Sequence, residues 1–392
     1  MGMATGVRDT SNLTARKYDV ADVISLLSVG EYPMLAILTN AGKDPASKQG
    51  KALKKQETSD AEFKWNEDEF GSREATTATG QTGKNIASTP SVSVASGQGA
   101  RFAVGDIIQF VASKYTFEVT AIATDALTLS NELGGATGTV DLSSLTVWII
   151  GNANEEGGTL REIKGTTPVE KVGYTQIFRT PFGVTETSAN TTTLIKENDL
   201  DYQRRKKGIE HYVDIERAFW FGKKSKRTGT NGKPIRTTAG VIDTISTYAT
   251  ANVDTEAEFE TWLEDVFRYG NKEKYAFCSA QIITMINGFA KAKVEIVQSE
   301  KTYGVMILKY VSAHGTLNLI KHDLFTGTPY GNYAVAIDME TATYRYLKNR
   351  DTKLLTDRQA NDADEKLEEY LTECGLQLEQ EKRQAICSYA SL

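Results

Sequence analysis

Apolar residues recur at helical spacing in two parts of the chain. Between about Ser188 and Phe221, apolar side chains appear every three or four residues and charged residues separate them. One face of this segment carries Tyr202, Ile209, Tyr212, Val213, Phe219 and Trp220. The pattern predicts a helix about 50 Å long, which is more than a small core needs. The segment Thr255–Glu258 has the sequence of a capping box and predicts the start of a second helix that continues to Gly270.

Strand-like patterns precede the long helix. Phe63 and Trp65 alternate with polar residues, as in a half-exposed strand. Residues 71–101 contain no aromatic side chain and are dominated by Ser, Thr, Gly and Ala. A polar stretch of this length predicts a segment that projects from the body. Short apolar runs separated by turn residues follow over residues 102–150 and predict a small all-β module inserted in the projection.

Helices and strands are mixed in the last part of the chain. The pattern predicts strands at residues 275–279, 294–297, 303–311, 317–320 and 333–337, with a helix at residues 281–292. This mixture indicates an α/β or α+β sheet domain over about residues 240–345. Strand-like runs in residues 365–389 must pair with earlier sequence.

Composition and charge narrow the function classes. The 392 residues suit two to three domains at roughly 150 residues each. The net charge is -6, which argues against a protein whose whole surface binds nucleic acid, although a local basic face stays open. No apolar stretch reaches the roughly 18 residues that a membrane-spanning helix needs, and the first residues lack the apolar core of a signal peptide. We therefore expect no membrane partner.

The residues that usually carry chemistry are scarce. There are three cysteines and three histidines, and their spacing fits neither a zinc site nor a disulfide framework. No phosphate-binding loop of the usual spacing occurs. We therefore expect no catalytic centre, no bound cofactor and no metal. The chemistry-bearing residues are Cys278, Cys374, Cys387, His211, His314 and His322.

Charged and aromatic runs are the candidates for contacts between copies of the chain. The basic run Arg204–Lys207 and the basic loop from Lys223 to Arg227 are the strongest positive signals. Three roles stay open for these basic residues: a solvated face, a salt-bridge network between subunits, or a surface that faces a polyanion. Exposed ion pairs contribute only about 0.2 to 1 kcal/mol each, so we expect single substitutions to do little and combined ones to matter. The candidate assembly contacts are Phe63, Trp65, Glu67, Asp68, Glu69, Arg204, Arg205, Lys206, Lys207, Lys223 and Lys224.

Several sequence stretches carry a resemblance to a known family. They are residues 148–157, 174–179 with 184–188, 214–224 and 236–240. These runs, and the order of the predicted segments, resemble the major capsid (major head) proteins of tailed double-stranded-DNA phages, which share the Hong Kong 97 capsid fold. The branch they resemble carries a β insertion in its extended loop. The resemblance covers about residues 20–390, and its motifs are structural rather than catalytic.

The resemblance implies an α+β fold with named parts. They are an N-terminal arm (1–50), an extended loop (51–91 and 153–182), a small β-barrel-like insertion (92–152), a spine helix with the peripheral region (183–239), a mixed α/β axial domain (240–345) and peripheral-domain strands (346–392). The family's common N-terminal scaffolding extension is not visible. Because Met1 looks like an initiator, we expect a separate scaffold protein.

The resemblance also implies a function. A major capsid protein self-assembles as hexamers and pentamers into an icosahedral shell that encloses the double-stranded DNA genome. Its expected partners are further copies of itself, a scaffold, a portal, a decoration protein and DNA held at the inner wall without sequence specificity. The expected location is the virion capsid, after assembly in the host cytoplasm. The alternatives are an encapsulin-like nanocompartment shell, and an enzyme or surface-binding protein with a β module.

One chemistry is known in relatives of this fold. Lys and Asn side chains crosslink neighbouring subunits with the help of a nearby Glu. Lys84 and Lys164 lie in the matching loop of this chain. No sequence signature marks either lysine as reactive, so we expect no crosslinking and no enzyme activity.

Overall fold

The structure is a computed structural model that describes residues 33–35, 54–157, 161, 163–191, 199–289, 307–327 and 330–389. The chain divides into two units. The larger unit contains Met1–Trp65 and Lys171–Leu392, and the smaller unit contains Asn66–Glu170. Most of the predicted N-terminal arm and the predicted strand at residues 294–297 lie outside the described residues.

The long helix is shorter than its sequence pattern predicts. Residues 33–35 are helical, and after them the described α-helices are, in chain order, α1 (Glu186–Asn190), α2 (Asp199–Phe221), α3 (Val241–Thr244), α4 (Glu256–Phe267) and α5 (Ala280–Phe289). The start of the predicted 188–221 helix belongs to α1, which ends where Thr191 adopts an extended conformation. Thr191 is the first of three consecutive threonines, and β-branched residues disfavour helix. Helix α2 has 23 residues and is therefore about 35 Å long.

The buried face of α2 also differs from the predicted one. Phe219 and Trp220 are buried as expected, but Tyr202, Ile209, Tyr212 and Val213 are only partly buried. The residues that the helix buries are Leu200, His211, Ile215, Glu216, Phe219 and Trp220. Apolar spacing did not reveal the buried polar residues His211 and Glu216, because a polar side chain is buried only where hydrogen-bond partners from elsewhere in the chain receive it.

The capping box predicted at Thr255 is confirmed. The Glu258 amide donates to Thr255 Oγ1, and Glu258 Oε2 accepts from the Thr255 amide at 2.9 Å. Helix α4 ends at Phe267, three residues before the predicted end at Gly270. Gly270 has a φ of 83°, which glycine adopts readily and which ends a helical path.

Strands make up most of the remaining described structure. Up to residue 185 they are β1 (Lys54–Thr58), β2 (Glu62–Glu67), β3 (Glu74–Thr76), β4 (Lys84–Asn85), β5 (Ser91–Ser93), β6 (Asp106–Phe110), β7 (Thr116–Ala123), β8 (Ala126–Leu129), β9 (Thr139–Val140), β10 (Thr146–Asn152), β11 (Val169–Tyr174) and β12 (Gln176–Thr185). Beyond α2 they are β13 (Ser225–Thr228), β14 (Pro234–Thr237), β15 (Ala249–Thr250), β16 (Glu273–Cys278), β17 (Ile307–Val311), β18 (Thr316–Lys321), β19 (Tyr333–Ile337), β20 (Ala342–Leu347), β21 (Lys353–Leu355), β22 (Glu365–Leu378) and β23 (Ala385–Ser388).

The larger unit contains two main sheets in its described part. One has the strand order β1-β20-β22-β12, with β21 also paired to β22, and α2 packs against β12 and β22. The other has the order β15-β23-β19-β16-β18-β17. The last strand, β23, therefore pairs within the same sheet as β16 to β19, whereas the sequence assigned residues 346–392 to peripheral strands. Strand β20 begins inside the predicted axial segment but pairs with β1 and β22.

The smaller unit is a β structure with its own core. Its main sheet has the order β3-β10-β6-β7-β8-β5, and a bridge between Thr77 and Val94 joins the two outer strands, so the sheet closes on itself. The buried core includes Phe102, Phe110 and Phe117. The unit begins before the predicted boundary at residue 92 because β3 pairs with β10, and Ala75 faces Val147.

Candidate functional site

Strand β2 carries the two aromatic candidates. Phe63 is only 5% exposed and stacks on Trp65, with ring centroids 6.0 Å apart. A Cβ at Gly173 would lie 2.3 Å from the Phe63 ring, so this glycine makes room for the ring. The Arg345 guanidinium carbon lies 5.8 Å from the centroid of the Phe63 ring. Phe63 is thus packed inside its own chain, and its burial requires no neighbouring copy.

The acidic candidates lie at the end of β2 and just after it. Asp68 and Glu69 are exposed, and Glu67 is half-buried. Asp68 Oδ1 accepts a hydrogen bond from the Glu69 amide at 2.9 Å. The next residue, Phe70, has a fully exposed ring. The sequence prediction missed Phe70, although an aromatic residue between an acidic run and Gly71 was a visible signal.

Arg204 is an internal ion-pairing residue of the chain. Its Nε and Nη2 atoms donate to the two carboxylate oxygens of Glu368 at 2.7 and 2.5 Å, and its Nη1 donates to Asp201 at 2.8 Å. Hydrogen bonding to Glu368 raises the pKa of Arg204 still further above its usual range. Glu368 is 5% exposed and Arg204 reaches it from the partly solvated side, so the pair joins α2 to β22.

The contacts of Arg205 and Lys207 lie on α2 itself. Lys207 Nζ donates to Glu210 Oε2 at 2.5 Å, one turn along the helix. The Arg205 guanidinium carbon lies 5.8 Å from the centroid of the Tyr202 ring. Lys206 is half-buried on the same helix. Arg204 therefore differs from Arg205 and Lys207, because its ion pair with Glu368 connects the helix to strand β22.

Lys223 and Lys224 open a basic hairpin formed by β13 and β14, hereafter the basic hairpin (residues 223–237). Within it the basic residues are Lys223, Lys224, Lys226, Arg227, Lys233 and Arg236, and there is no Asp or Glu. Lys226 pairs with Glu62, Lys223 lies 3.9 Å from Asp243, and Lys224 Nζ donates to the Val172 carbonyl at 3.2 Å. Strand β13 is exposed along its whole length.

Strand β22 holds a row of nearly buried carboxylates that the sequence prediction missed. Arg179 donates to Glu369 Oε2 at 2.9 and 2.6 Å, and Arg358 lies 3.0 Å from the other oxygen. Glu373 pairs with Arg350 at 2.6 Å. The run of glutamates in a predicted strand was a signal for such pairing, because a buried carboxylate needs a partner.

Glu216 is fully buried in α2, and its carboxylate accepts four hydrogen bonds. Its Oε1 accepts from the Met34 amide at 2.9 Å, from Trp220 Nε1 at 3.1 Å and from His322 Nε2 at 2.9 Å. Its Oε2 accepts from the Leu35 amide at 2.8 Å. Three segments of chain thus meet at one carboxylate: the residues before β1, α2 itself and the residue that follows β18. No sequence motif marks this residue.

The remaining chemistry-bearing side chains do not converge on a reactive centre. Burial raises the pKa of the thiols of Cys278 and Cys374 and keeps them protonated. Burial lowers the pKa of His211 to about 4, and both ring nitrogens bond to threonine hydroxyls. Within the described ranges no group of three or more His, Cys, Asp or Glu side chains could bind a metal ion. Among those same residues no helix is long and apolar enough to cross a membrane.

Comparison with known proteins gives a consistent set of matches. A family model described as SU10 major capsid protein matches residues 5–390. The major capsid protein of Pseudomonas phage PaMx41 is 24% identical over 244 residues. That match covers 58% of this chain and 58% of the phage protein, which is less than two thirds of the relative's length.

Solved structures extend the comparison at the level of the fold. The capsid of a native GTA particle has a TM-score of 0.50 at 7% identity, covering 96% of both chains. A structure from Mycobacterium phage Bobi has a TM-score of 0.49 at 8% identity, covering 98% of this chain and 99% of that one. The first of these shows a shared fold over nearly the whole chain and confirms the predicted α+β fold class of Hong Kong 97 type.

Proposed function

The chain belongs to the SU10 major capsid protein family, and from this premise we propose that it is the major capsid protein of a phage. In this role it self-assembles as hexamers and pentamers into an icosahedral shell around double-stranded DNA. The family match over residues 5–390 carries the proposal. The shared fold with a capsid chain agrees with it.

The charges of the chain suit contacts between copies. The segment Glu67–Glu69 is acidic, and the basic hairpin carries six positive charges. When two different surfaces of one chain are complementary, copies join head to tail, and such contacts close into rings at a suitable rotation. We assign Glu67, Asp68 and Glu69 of one copy to contacts with basic residues of the next, with Trp65 beside them.

DNA at the inner wall is the second partner in the proposal. Phosphate groups are bound by Lys and Arg without base contacts, so such binding has no sequence specificity and weakens with salt. The basic hairpin and Arg205, Lys206 and Lys207 have the required charge. A separate scaffold, a portal and a decoration protein complete the expected set of partners in a virion assembled in the host cytoplasm.

We also propose that the shell forms without enzyme chemistry. Lys84 Nζ donates to the Ser91 carbonyl at 2.6 Å, and Lys164 Nζ donates to the Ala100 carbonyl at 3.1 Å. Each lysine therefore has a main-chain partner in its own chain. Denaturing electrophoresis of mature particles is expected to give a single band near 43.0 kDa. A ladder of covalent multimers would contradict this.

Sedimentation tests the assembly proposal. Purified protein, with its scaffold protein present, is expected to sediment as large closed particles. A profile that contains only monomer in these conditions argues against a shell subunit. The contents of the particles separate the two shell hypotheses, because a phage capsid encloses DNA and an encapsulin-like compartment encloses cargo protein.

A further inference from the structure

The carboxylate of Glu216 forms a binding site for a peptide main chain. Two of its four donors are the consecutive amides of Met34 and Leu35, which belong to the segment before β1. Pro33 precedes them and has no N–H of its own. The Met34 and Leu35 side chains are 0% and 2% exposed and join the core of the larger unit. The site therefore holds the helical residues 33–35 by two main-chain hydrogen bonds and two apolar side chains.

The hydrogen bonds of His322 define its protonation at this site. The Leu324 amide donates to His322 Nδ1 at 3.2 Å, so Nδ1 acts as an acceptor and carries no proton. Nε2 therefore carries the proton and donates it to Glu216 Oε1. The imidazole is neutral in this arrangement. The Glu216 carboxylate is stabilised by N–H groups rather than by the charge of the histidine.

All four neighbours of the carboxylate are hydrogen-bond donors. A buried carboxylate surrounded by donors is well satisfied, whereas a buried donor that loses its acceptor costs free energy. A neutral carboxylic acid or an amide at this position would direct its own donor towards N–H groups. The site therefore requires an ionised carboxylate.

We propose that Glu216 is a charge-dependent clasp that fixes the N-terminal segment of the chain to α2 through the main chain of Met34 and Leu35. The competing explanation is that burial of the Met34 and Leu35 side chains is sufficient. Glu216→Gln separates the two explanations, because glutamine has nearly the same volume as glutamate and leaves the apolar packing in place. If packing is sufficient, this change has little effect on the segment.

Hydrogen exchange measured by mass spectrometry on the full, unassembled chain tests the clasp. In E216Q the amides of Met34 and Leu35 are expected to exchange about tenfold faster or more, because their acceptor is weakened, while α4 exchanges as in the wild type. The matched control is E210Q on the same helix, where Glu210 bonds to Lys207 instead. Unchanged exchange of Met34 and Leu35 in a folded E216Q would overturn the proposal.

Two further variants, W220F and E216D, keep the test decisive if E216Q does not fold. Trp220→Phe removes one of the four donors and keeps an aromatic ring in the core. In W220F the amides of Met34 and Leu35 keep the carboxylate as their acceptor and share it with one donor fewer, so their exchange is expected to stay slow. In E216D the shorter side chain holds the carboxylate away from these amides, so their exchange is expected to be faster. Equal exchange in the wild type, W220F and E216D would contradict the clasp. These measurements use unassembled protein, so they succeed or fail independently of the shell function.

Discussion

At the level of single residues, buried polar side chains organise the larger unit. His211 is an example: its Nδ1 lies 2.9 Å from Thr180 Oγ1 on β12, and its Nε2 lies 2.7 Å from Thr372 Oγ1 on β22. The sequence predicted that His211 lies in a helix but not that it is buried. Apolar periodicity identifies the helix, whereas the partners of a histidine come from strands distant in sequence.

His211 makes stability depend on pH. Burial lowers its pKa in the folded chain from 6.5 to about 4. Between these values the unfolded chain binds the extra proton and the folded chain does not, so the free energy of unfolding falls as the pH drops from about 6.5 to about 4. The full contribution is about 3 kcal/mol. Denaturant titrations of H211Q are expected to show a shallower loss of stability over this range. T372V keeps the imidazole and is expected to retain the steep loss of stability. If the free energy of unfolding fell equally steeply with pH in the wild type, H211Q and T372V, His211 would not be the group responsible.

Arg204 and Lys206 are expected to differ, although they are close in sequence. Breaking a buried ion pair costs about 3 to 5 kcal/mol because one charge is left uncompensated. The Arg204 side chain is 35% exposed, so water screens part of this cost, and we expect R204Q to lower the free energy of unfolding by about 2 kcal/mol. K206Q is expected to change it by less than about 0.5 kcal/mol. If R204Q and K206Q changed the free energy of unfolding equally in chemical denaturation, the ion pair between Arg204 and Glu368 would make no additional contribution to stability.

At the level of elements, strand positions were more predictable than strand partners. Residues 333–337 were predicted as a strand and form β19. The short continuous apolar run reveals such a strand but not its neighbour in a sheet. Strand β23 shows the consequence, because it pairs with β15 and β19, whereas the sequence assigned it to the peripheral strands. Pairing over such separations depends on the whole fold.

The basic hairpin is the element whose charge we expect to matter most for assembly. Replacing Lys223, Lys224, Arg227 and Lys233 by Gln removes four positive charges from exposed positions. Because contacts with acidic segments or phosphate weaken when charge is removed, we expect a lower yield of particles and a smaller dependence of that yield on salt. The double variant K223Q/K224Q removes two positive charges from the basic hairpin. Its matched control, K348Q/K353Q, removes two positive charges from exposed positions outside the hairpin. If both doubles reduced the yield equally, the effect would reflect net charge and not the hairpin.

At the level of the whole molecule, the two units have separate cores. The clusters of buried apolar residues in the larger unit include none of residues 66–170, and the core of the smaller unit lies entirely within them. The sequence predicted an inserted β module but began it at residue 92. The earlier strand β3 was hidden because its three residues, Glu74–Thr76, contain a single small apolar side chain, which is too little to form a recognisable pattern. Such short strands depend on a partner strand and not on their own sequence.

Deleting the smaller unit is expected to leave the larger one folded. Strands β2 and β11 are neighbours in a two-stranded sheet, so the chain enters and leaves the unit at paired strands. A variant that replaces residues 68–168 by a short Gly-Ser linker is expected to keep a cooperative thermal transition and its helical circular dichroism. A shorter deletion of residues 92–152 removes β10, the partner of β3, and is expected to be less stable. Loss of cooperative unfolding in the first variant would show that the cores depend on each other.

Electron microscopy of the purified protein, expressed with its scaffold protein, tests the shell function most directly. The account predicts closed icosahedral particles whose surface resolves into hexameric and pentameric capsomers, with this chain as the repeating subunit. A preparation that contains only monomers or small open oligomers under the same conditions would contradict it.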